Sequence, residues 1–157
     1  QVIERPGWRV LTGACSDRRH FGLALGVPPY HLIQHMAAAV AHPSDPPQLG
    51  LGACQEVLHP GVDLRRVPLL RQLASDGGHY ITSAVVIISD DEYGRNMAFH
   101  RLLRLDSRRF AARLVENRGT HSAWRHASGD LPCAICVGVP LQVIEYKSGR
   151  SITIHSG

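Results

Sequence analysis

Aromatic residues, clusters of like charge, cysteines and long apolar runs are all scarce in this sequence of 157 residues. Aromatic residues make up 6% of the chain, which is too few for a surface that stacks on nucleic-acid bases. The 17 basic residues are scattered apart from short pairs, whereas a nucleic-acid-binding protein usually gathers them on one face. With a net charge of only +4, nucleic acid is not an expected partner.

Membrane and disulfide-rich classes are disfavoured for similar reasons. No run reaches the ~18 apolar residues that cross a bilayer, and no signal-peptide pattern is present. The four cysteines are too few and too irregularly spaced for a disulfide scaffold. We therefore expect reduced thiols, a cytoplasmic location and no membrane partner. The first residue is Gln, which is compatible with a trimmed or processed piece of a longer chain.

What the sequence does contain is enough apolar residues for a globular fold. Hydrophobic residues make up 44% and charged residues 19%, and this length suffices for a real core. We predict an N-terminal α/β segment over residues 1–60 and a barrel-like core over residues 61–157. In the first segment, WRVLTGAC reads as a strand and GVPPYHLIQHMAAAVAHP as a helix with prolines at its start. Residues 54–70 read as an extended, proline-broken strand or edge segment.

The later part of the chain alternates strand patterns with short polar turns. The expected strands are YITSAVVIIS, NMAFHRLLRL, FAARLV and CAICVGVP, with LQVIEY and RSITIHS as a closing hairpin. HSAWRHA is a short helix candidate between the third and fourth of these strands. Strands joined by short turns, with helices only at the flanks, predict an α+β fold built on an antiparallel, barrel-like sheet.

Two motifs suggest a metal site but also have simpler interpretations. Cys133 and Cys136 form a C-x-x-C pair, which could hold zinc or exchange disulfides. No second ligand pair lies nearby, and both cysteines fall in an apolar strand, so buried core cysteines are the favoured interpretation. His31 and His35 are one helical turn apart and could be ligands, but a solvated helix face is the more common arrangement.

The segment YGRNMAFHR places an Asn and an Arg in a strand-like run. The amide oxygen of Asn96 suits a hard cation, and a histidine at a strand end, such as His121, suits a transition metal such as manganese. Arg101 could pair with a carboxylate or phosphate through two parallel hydrogen bonds. Strand positions five apart face opposite sides unless a bulge intervenes. The alternative is that Arg101 is a surface residue like Arg104.

The order of these motifs resembles that of the UbiD family of decarboxylases, which use prenylated FMN. The similar segments extend from Trp8 to about Ile144, and the N-x4-R segment is specific when it is combined with DGG-x-YIT and GVP in this order. They are WRVLTGA, ALGVPP, HPGVDLRRVPLL, SDGGHYITSAVVI, GRNMAFHR, RLVENRGTHSAW and LPCAICVGVPLQVI. The resemblance implies a split antiparallel barrel related to flavin reductases, with flanking helices.

The resemblance also implies roles for individual residues. Asn96 and His121 would be ligands of a divalent metal, manganese or another, that bridges the phosphate of the cofactor, with potassium as a further candidate ion. Arg101 would lie beside the flavin and orient the carboxylate of a small substrate, an aromatic or α,β-unsaturated acid.

Three neighbouring residues of the same segment would bind the cofactor through their backbone. Ala98, Phe99 and His100 are expected to lie along the flavin edge.

The sequence departs from the family pattern after His121. Only Asp130 and Glu145 are acidic there, and neither lies in a segment like those that carry the family's third metal ligand and catalytic glutamates. The large C-terminal domain of the family has no counterpart, so we expect the function to need further segments or a partner chain, in an oligomer. The alternatives are a non-catalytic flavin-binding or partner subunit on the same fold, and a flavin-free structural or metal-binding protein.

Overall fold

The structure is a computed structural model that describes residues 2–5, 7–42, 49–92 and 94–139. The described strands are β1 Val2–Arg5, β2 Trp8–Leu11, β3 Tyr80–Asp90, β4 Gly94–Arg104, β5 Phe110–Ala112 and β6 Cys133–Cys136. The described helices are α1 Arg18–Leu25, α2 Leu32–Ala41 and α3 Gly119–His126. No helix in these ranges is long and apolar enough to cross a membrane.

The central element is a four-stranded antiparallel sheet with the strand order β5-β4-β3-β6. Its long hairpin pairs β3 with β4 from Tyr80 opposite Leu103 to Asp90 opposite Gly94. The first two strands form a separate antiparallel pair. Helix α3 lies in the chain between β5 and β6. Together with the antiparallel sheet, this order confirms the sequence prediction of an α+β fold with flanking helices.

The β-branched run of β3 explains why this strand lies at the centre of the sheet. Val85, Val86 and Ile88 are all buried, although successive residues of a strand point to opposite faces. Apolar groups therefore cover both faces of the strand. On one face Val86 and Ile88 pack with Ala123 of α3, and on the other Val85 packs with Met97 of β4.

A third cluster closes the end of the sheet near the start of β3. Leu69, Ile81, Ala84 and Leu102 are buried together, with Val67 and Phe110 packed against them. Most of residues 54–70 forms turns and short 3-10 helices, and among the described residues the strand pairing of this segment with the sheet is limited to one bridge, between Leu70 and Tyr80. The predicted strand there was therefore wrong, and its prolines are consistent with that outcome because proline cannot donate to a strand ladder.

The N-terminal helices differ from prediction at their boundaries. Helix α2 begins at Leu32, after a 3-10 turn over Pro29–His31. Helix α1 was missed because Gly22 interrupts its apolar pattern and glycine disfavours helix interiors. Its boundary signals are present: the Asp17 side chain accepts from the Arg19 N–H, and Gly26 ends the helix at a φ of 65°.

The cysteines do not form the core pair that the sequence favoured. Cys133 is exposed and Cys136 is half-buried against Val85 and Met97. The register of β6 explains the difference, because positions three apart face opposite sides, and within the described residues only the Cys136 side is covered. Burial, and secondarily the nearby Cys54, raises the pKa of the Cys136 thiol. The predicted hairpin of LQVIEY and RSITIHS lies outside the described residues.

Gly22 provides a test of the N-terminal packing. A Cβ atom at this position would lie 2.6 Å from the carbonyl oxygen of Val27 and 3.3 Å from side-chain atoms of Pro29. Gly22→Ala should therefore lower the free energy of unfolding by about 1–3 kcal/mol, although alanine is the better helix former. Urea denaturation measures the change, with Gly61→Ala as control because a Cβ there meets nothing within 4 Å. A Gly22→Ala variant as stable as the parent would contradict this packing.

Candidate functional site

The candidate site is built where the first turn of α3 meets strand β4. Asn96 pairs with Ile88 across the hairpin, and its side chain is half-buried. A Cβ atom on Gly119, the first residue of α3, would clash with the Asn96 amide nitrogen and lie 3.2 Å from its Cγ. The side chain of Asn96 therefore rests directly on the helix start, and only glycine leaves room for it.

This contact places Asn96 at the helical turn that also contains His121, the other predicted metal ligand. His121 follows Gly119 by two residues in the first turn of α3 and is half-buried. Its Nδ1 accepts a hydrogen bond of 3.3 Å from the backbone N–H of Asn117, a residue in the left-handed region with a φ of 58°. A turn before the helix thus orients the imidazole ring.

A second polar contact joins the same two elements. The His100 Nε2 and the Thr120 Oγ1 are 3.0 Å apart and share a hydrogen bond. Thr120 is buried at 9% exposure, and His100 is half-buried opposite Ala84 in the sheet. Two side chains of β4, four residues apart along the strand, therefore contact the helix start.

Arg101 lies on the other face of β4. His100 and Leu102, its neighbours, pair with Ala84 and Ile81 of β3, and both of those residues share one buried cluster. The alternation of the strand therefore directs the Arg101 side chain away from Asn96. Two residues of β3, Thr82 and Ser83, stand opposite Arg101 where the register shifts. The irregularity that the sequence required is present at Arg101, but it lies in β3 and does not bring the pair onto one face.

The remaining predicted contacts lie between these residues along β4. Ala98 is half-buried on the Asn96 face, and Phe99 is 55% exposed on the Arg101 face. Strand β5 pairs only with Leu102–Arg104 of β4. Within the described residues, the edge of β4 that faces away from β3 has no strand partner from Gly94 to Arg101, and the N–H and C=O groups on that edge are available to a ligand.

The far end of α3 lies against the turn of the hairpin. His126 Nδ1 lies 3.7 Å from the buried Asp90 carboxylate and 3.5 Å from Glu92, both at the turn of the hairpin. With Gly119 and Thr120 fixed on β4, both ends of α3 are attached to the same hairpin.

The donors at the helix start fit a divalent cation as part of a ligand set. An amide oxygen and an imidazole nitrogen are suitable ligands for manganese, and the Oδ1 of Asn96 is the amide atom farther from Gly119. The lone pair of His121 Nδ1 is used by Asn117, so that hydrogen bond must be replaced when the ring binds a metal. In the described part of the chain, no three His, Cys, Asp or Glu side chains gather into a metal site.

Two residues of this site were missed by sequence reasoning. Gly119 and Thr120 stand directly before His121, and neither was singled out. Glycine is unfavourable within a helix. A glycine at the first position of a predicted helix is therefore the signal that could have indicated a close contact there.

Comparison with known proteins places these residues in a family. Residues 48–146 match the family model described as the UbiD 3-octaprenyl-4-hydroxybenzoate carboxy-lyase Rift-related domain. The chain is similar to an anhydromevalonate phosphate decarboxylase of Archaeoglobus fulgidus, with 31% identity over 99% of the chain and 38% of the relative. An enzyme of the same name from Methanosarcina mazei is 32% identical over 92% of the chain and 34% of the relative. The chain thus spans little more than a third of these curated relatives.

Solved structures share the fold. An evolved dimeric form of the UbiD-class enzyme HmfF from Pelotomaculum thermopropionicum, in complex with prFMN, has a TM-score of 0.78 and 27% identity. That match covers 94% of this chain and 36% of the other. The apo 3,4-dihydroxybenzoic acid decarboxylase of Klebsiella pneumoniae has a TM-score of 0.79 over 88% of this chain and 31% of the other. At 24% identity it shows the fold alone. The expected flavin-reductase-like split barrel is confirmed.

Gly119 allows the contact at the centre of the site to be tested. A methyl group at residue 119 must displace the Asn96 amide, while alanine is at least as good a helix former as glycine. Gly119→Ala should therefore keep the circular dichroism spectrum but abolish the nuclear Overhauser contact between the Asn96 side-chain amide and residue 119.

Gly129→Ala is the matched control, because a Cβ there lies 3.9 Å from its nearest neighbour, the carbonyl oxygen of Ala127. An Asn96 amide resonance in the Gly119→Ala variant that matches the parent would show that the amide does not rest on the helix start.

Proposed function

The chain belongs to the UbiD family, and from that premise we propose that it binds prenylated FMN and a divalent metal as a component of a UbiD-type (de)carboxylase. The substrate would be a small aromatic or α,β-unsaturated carboxylic acid. The observation that carries the proposal is the contact of Asn96 with Gly119, which places the Asn96 amide at the first turn of α3, the turn that also contains His121.

The start of α3 also suits a phosphate group. Its first turn contains no acidic residue, and no side chain caps its N-terminus, so its first N–H groups are not satisfied by a cap. Such N–H groups and the helix dipole favour an anion. A metal held by Asn96 and His121 would therefore lie next to a favourable position for the phosphate of the cofactor.

The open edge of β4 suits the flavin ring. A planar ligand along this edge would meet the backbone of Ala98, Phe99 and His100, and side chains from both faces of the strand would flank it. This arrangement supports roles for Asn96 and Arg101 at one ligand although they face opposite ways. The bound cofactor would supply the electron sink for the loss of carbon dioxide.

Arg101 would hold the carboxylate of the substrate. Its guanidinium group is exposed and can offer two parallel hydrogen bonds to a carboxylate. The curated relatives are named for a phosphorylated carboxylic acid, which makes such an acid a candidate substrate here. A dimer appears in the name of one solved relative, and an oligomer is proposed for this chain as well.

The proton donor is proposed to come from other segments or from a partner chain. A general acid must lie within hydrogen-bond reach of the reacting atom. Asp130 is the only carboxylic acid among the described residues after His121, and it is exposed. This observation also favours the second candidate, a flavin-binding or partner subunit that does not itself turn over substrate.

Native mass spectrometry of the full chain, incubated with prenylated FMN and Mn²⁺, tests the proposal. We expect a mass increase equal to one flavin and one metal, together with flavin absorbance. Asn96→Ala should lose both, because the metal bridge to the phosphate would lack one ligand. Flavin retention that is indifferent to Asn96→Ala and to a chelator would refute the metal bridge, and flavin binding without turnover would favour the subunit role.

Arg101→Ala separates cofactor binding from substrate binding. It should retain flavin and metal but lose the binding and decarboxylation of a test acid, because the carboxylate loses its charged partner. Arg108→Ala is the matched control, since Arg108 is exposed and serves its turn through its backbone N–H. Equal affinity for the test acid in the parent and in Arg101→Ala would remove Arg101 from the site.

A further inference from the structure

We propose that Thr120 is a positioning residue: its hydrogen bond to His100 fixes the first turn of α3 on β4 and thereby sets the separation of Asn96 and His121. The inference rests on the proposed metal site, but its structural half can be measured without metal. Thr120 and the His100 side chain have no role in the predictions from sequence, which gave His100 a backbone contact only.

This hydrogen bond is one of two contacts that hold the start of α3 on strand β4. Asn96, Ala98 and His100 lie on one face of β4, because strand residues two apart share a face. The helix start contacts this face at Asn96 through Gly119 and at His100 through Thr120. Ala98 lies between these two contacts, and its methyl group is too small to hold the helix away from the strand.

The two contacts differ in what they can specify. The contact between Asn96 and Gly119 is one of shape, and it limits how closely the helix can approach. The hydrogen bond between His100 and Thr120 is directional, at 3.0 Å, and it fixes how the first turn is rotated on the strand. His121 follows Thr120 directly, so any rotation of Thr120 moves the imidazole ring.

Burial makes the hydrogen bond costly to lose. Thr120 is only 9% exposed and His100 is half-buried, so water cannot easily replace a missing partner. The opposite end of α3 is held by His126 near Asp90 and Glu92. Loss of the hydrogen bond should therefore free the end that carries His121 while the helix stays attached.

Thr120→Val tests the inference, because valine keeps the shape of threonine and removes the hydroxyl group. Thr120→Ser is the matched control, because serine keeps the hydroxyl group and should restore the parent behaviour. In the metal-free protein we expect the nuclear Overhauser contact between the Asn96 side-chain amide and Gly119 to weaken in Thr120→Val and to persist in Thr120→Ser. Circular dichroism confirms that both variants fold.

The second measurement is the affinity for Mn²⁺ alone. The electron paramagnetic resonance signal of the free ion reports how much Mn²⁺ remains unbound. Residues that orient metal ligands typically contribute about 10- to 100-fold in affinity, so the Kd of Thr120→Val should rise at least about tenfold and that of Thr120→Ser should stay near the parent value. Asn96→Ala, measured alongside, reports the loss of a direct ligand.

The outcomes distinguish the two proposals. If Asn96→Ala loses Mn²⁺ while Thr120→Val binds it as the parent does, the metal site stands and the positioning role of Thr120 is overturned. An unchanged Overhauser contact in Thr120→Val overturns that role regardless of metal. If the parent chain itself takes up no Mn²⁺, the proposed metal site fails, and the functional half of this inference fails with it.

Discussion

The close approach of helix α3 to strand β4 is the constraint on which the rest of the site depends. It requires a residue without a side chain at position 119, because the amide of Asn96 occupies the space that a Cβ would need. It also places His121 in the helical turn nearest to that amide. Without this approach the chain would carry the same residue types in the same order, but Asn96 would not contact the turn that contains His121.

The hairpin of β3 and β4 supplies the rigid support for that contact. Apolar residues of β3 are buried on both faces of that strand, and their burial holds the hairpin in the core. Helix α3 packs on one face through Ala123 and is held at its end by His126. The candidate donors thus sit on regular elements, which hold a site more precisely than loops do.

The sequence predicted the elements of this support well. The β-branched run of β3, the alternation of β4 and the short helix of α3 all appear at the expected places. The order of motifs identified the family, and the strand period correctly indicated that Asn96 and Arg101 face opposite sides unless a bulge intervenes. These features depend on local patterns, which a single sequence displays.

The contacts between separate helices and strands could not be predicted from the sequence. Nothing in the pattern shows that Gly119 meets Asn96 or that Thr120 meets His100, because each pair is about 20 residues apart and is joined only by tertiary packing. The bulge was foreseen as a requirement, but which strand would hold it depends on pairing. Cys133 is exposed because β6 is the last described strand on its side of the sheet. The residues of a strand do not by themselves show where in a sheet the strand lies.

The most direct test of this account is a crystal structure of the chain grown with Mn²⁺, with diffraction measured at the manganese absorption edge. We expect an anomalous peak at the start of α3, within bonding distance of the Asn96 Oδ1 and of a ring nitrogen of His121. A manganese peak elsewhere, or none at the helix start, would contradict the claim that the contact between α3 and β4 builds a metal site.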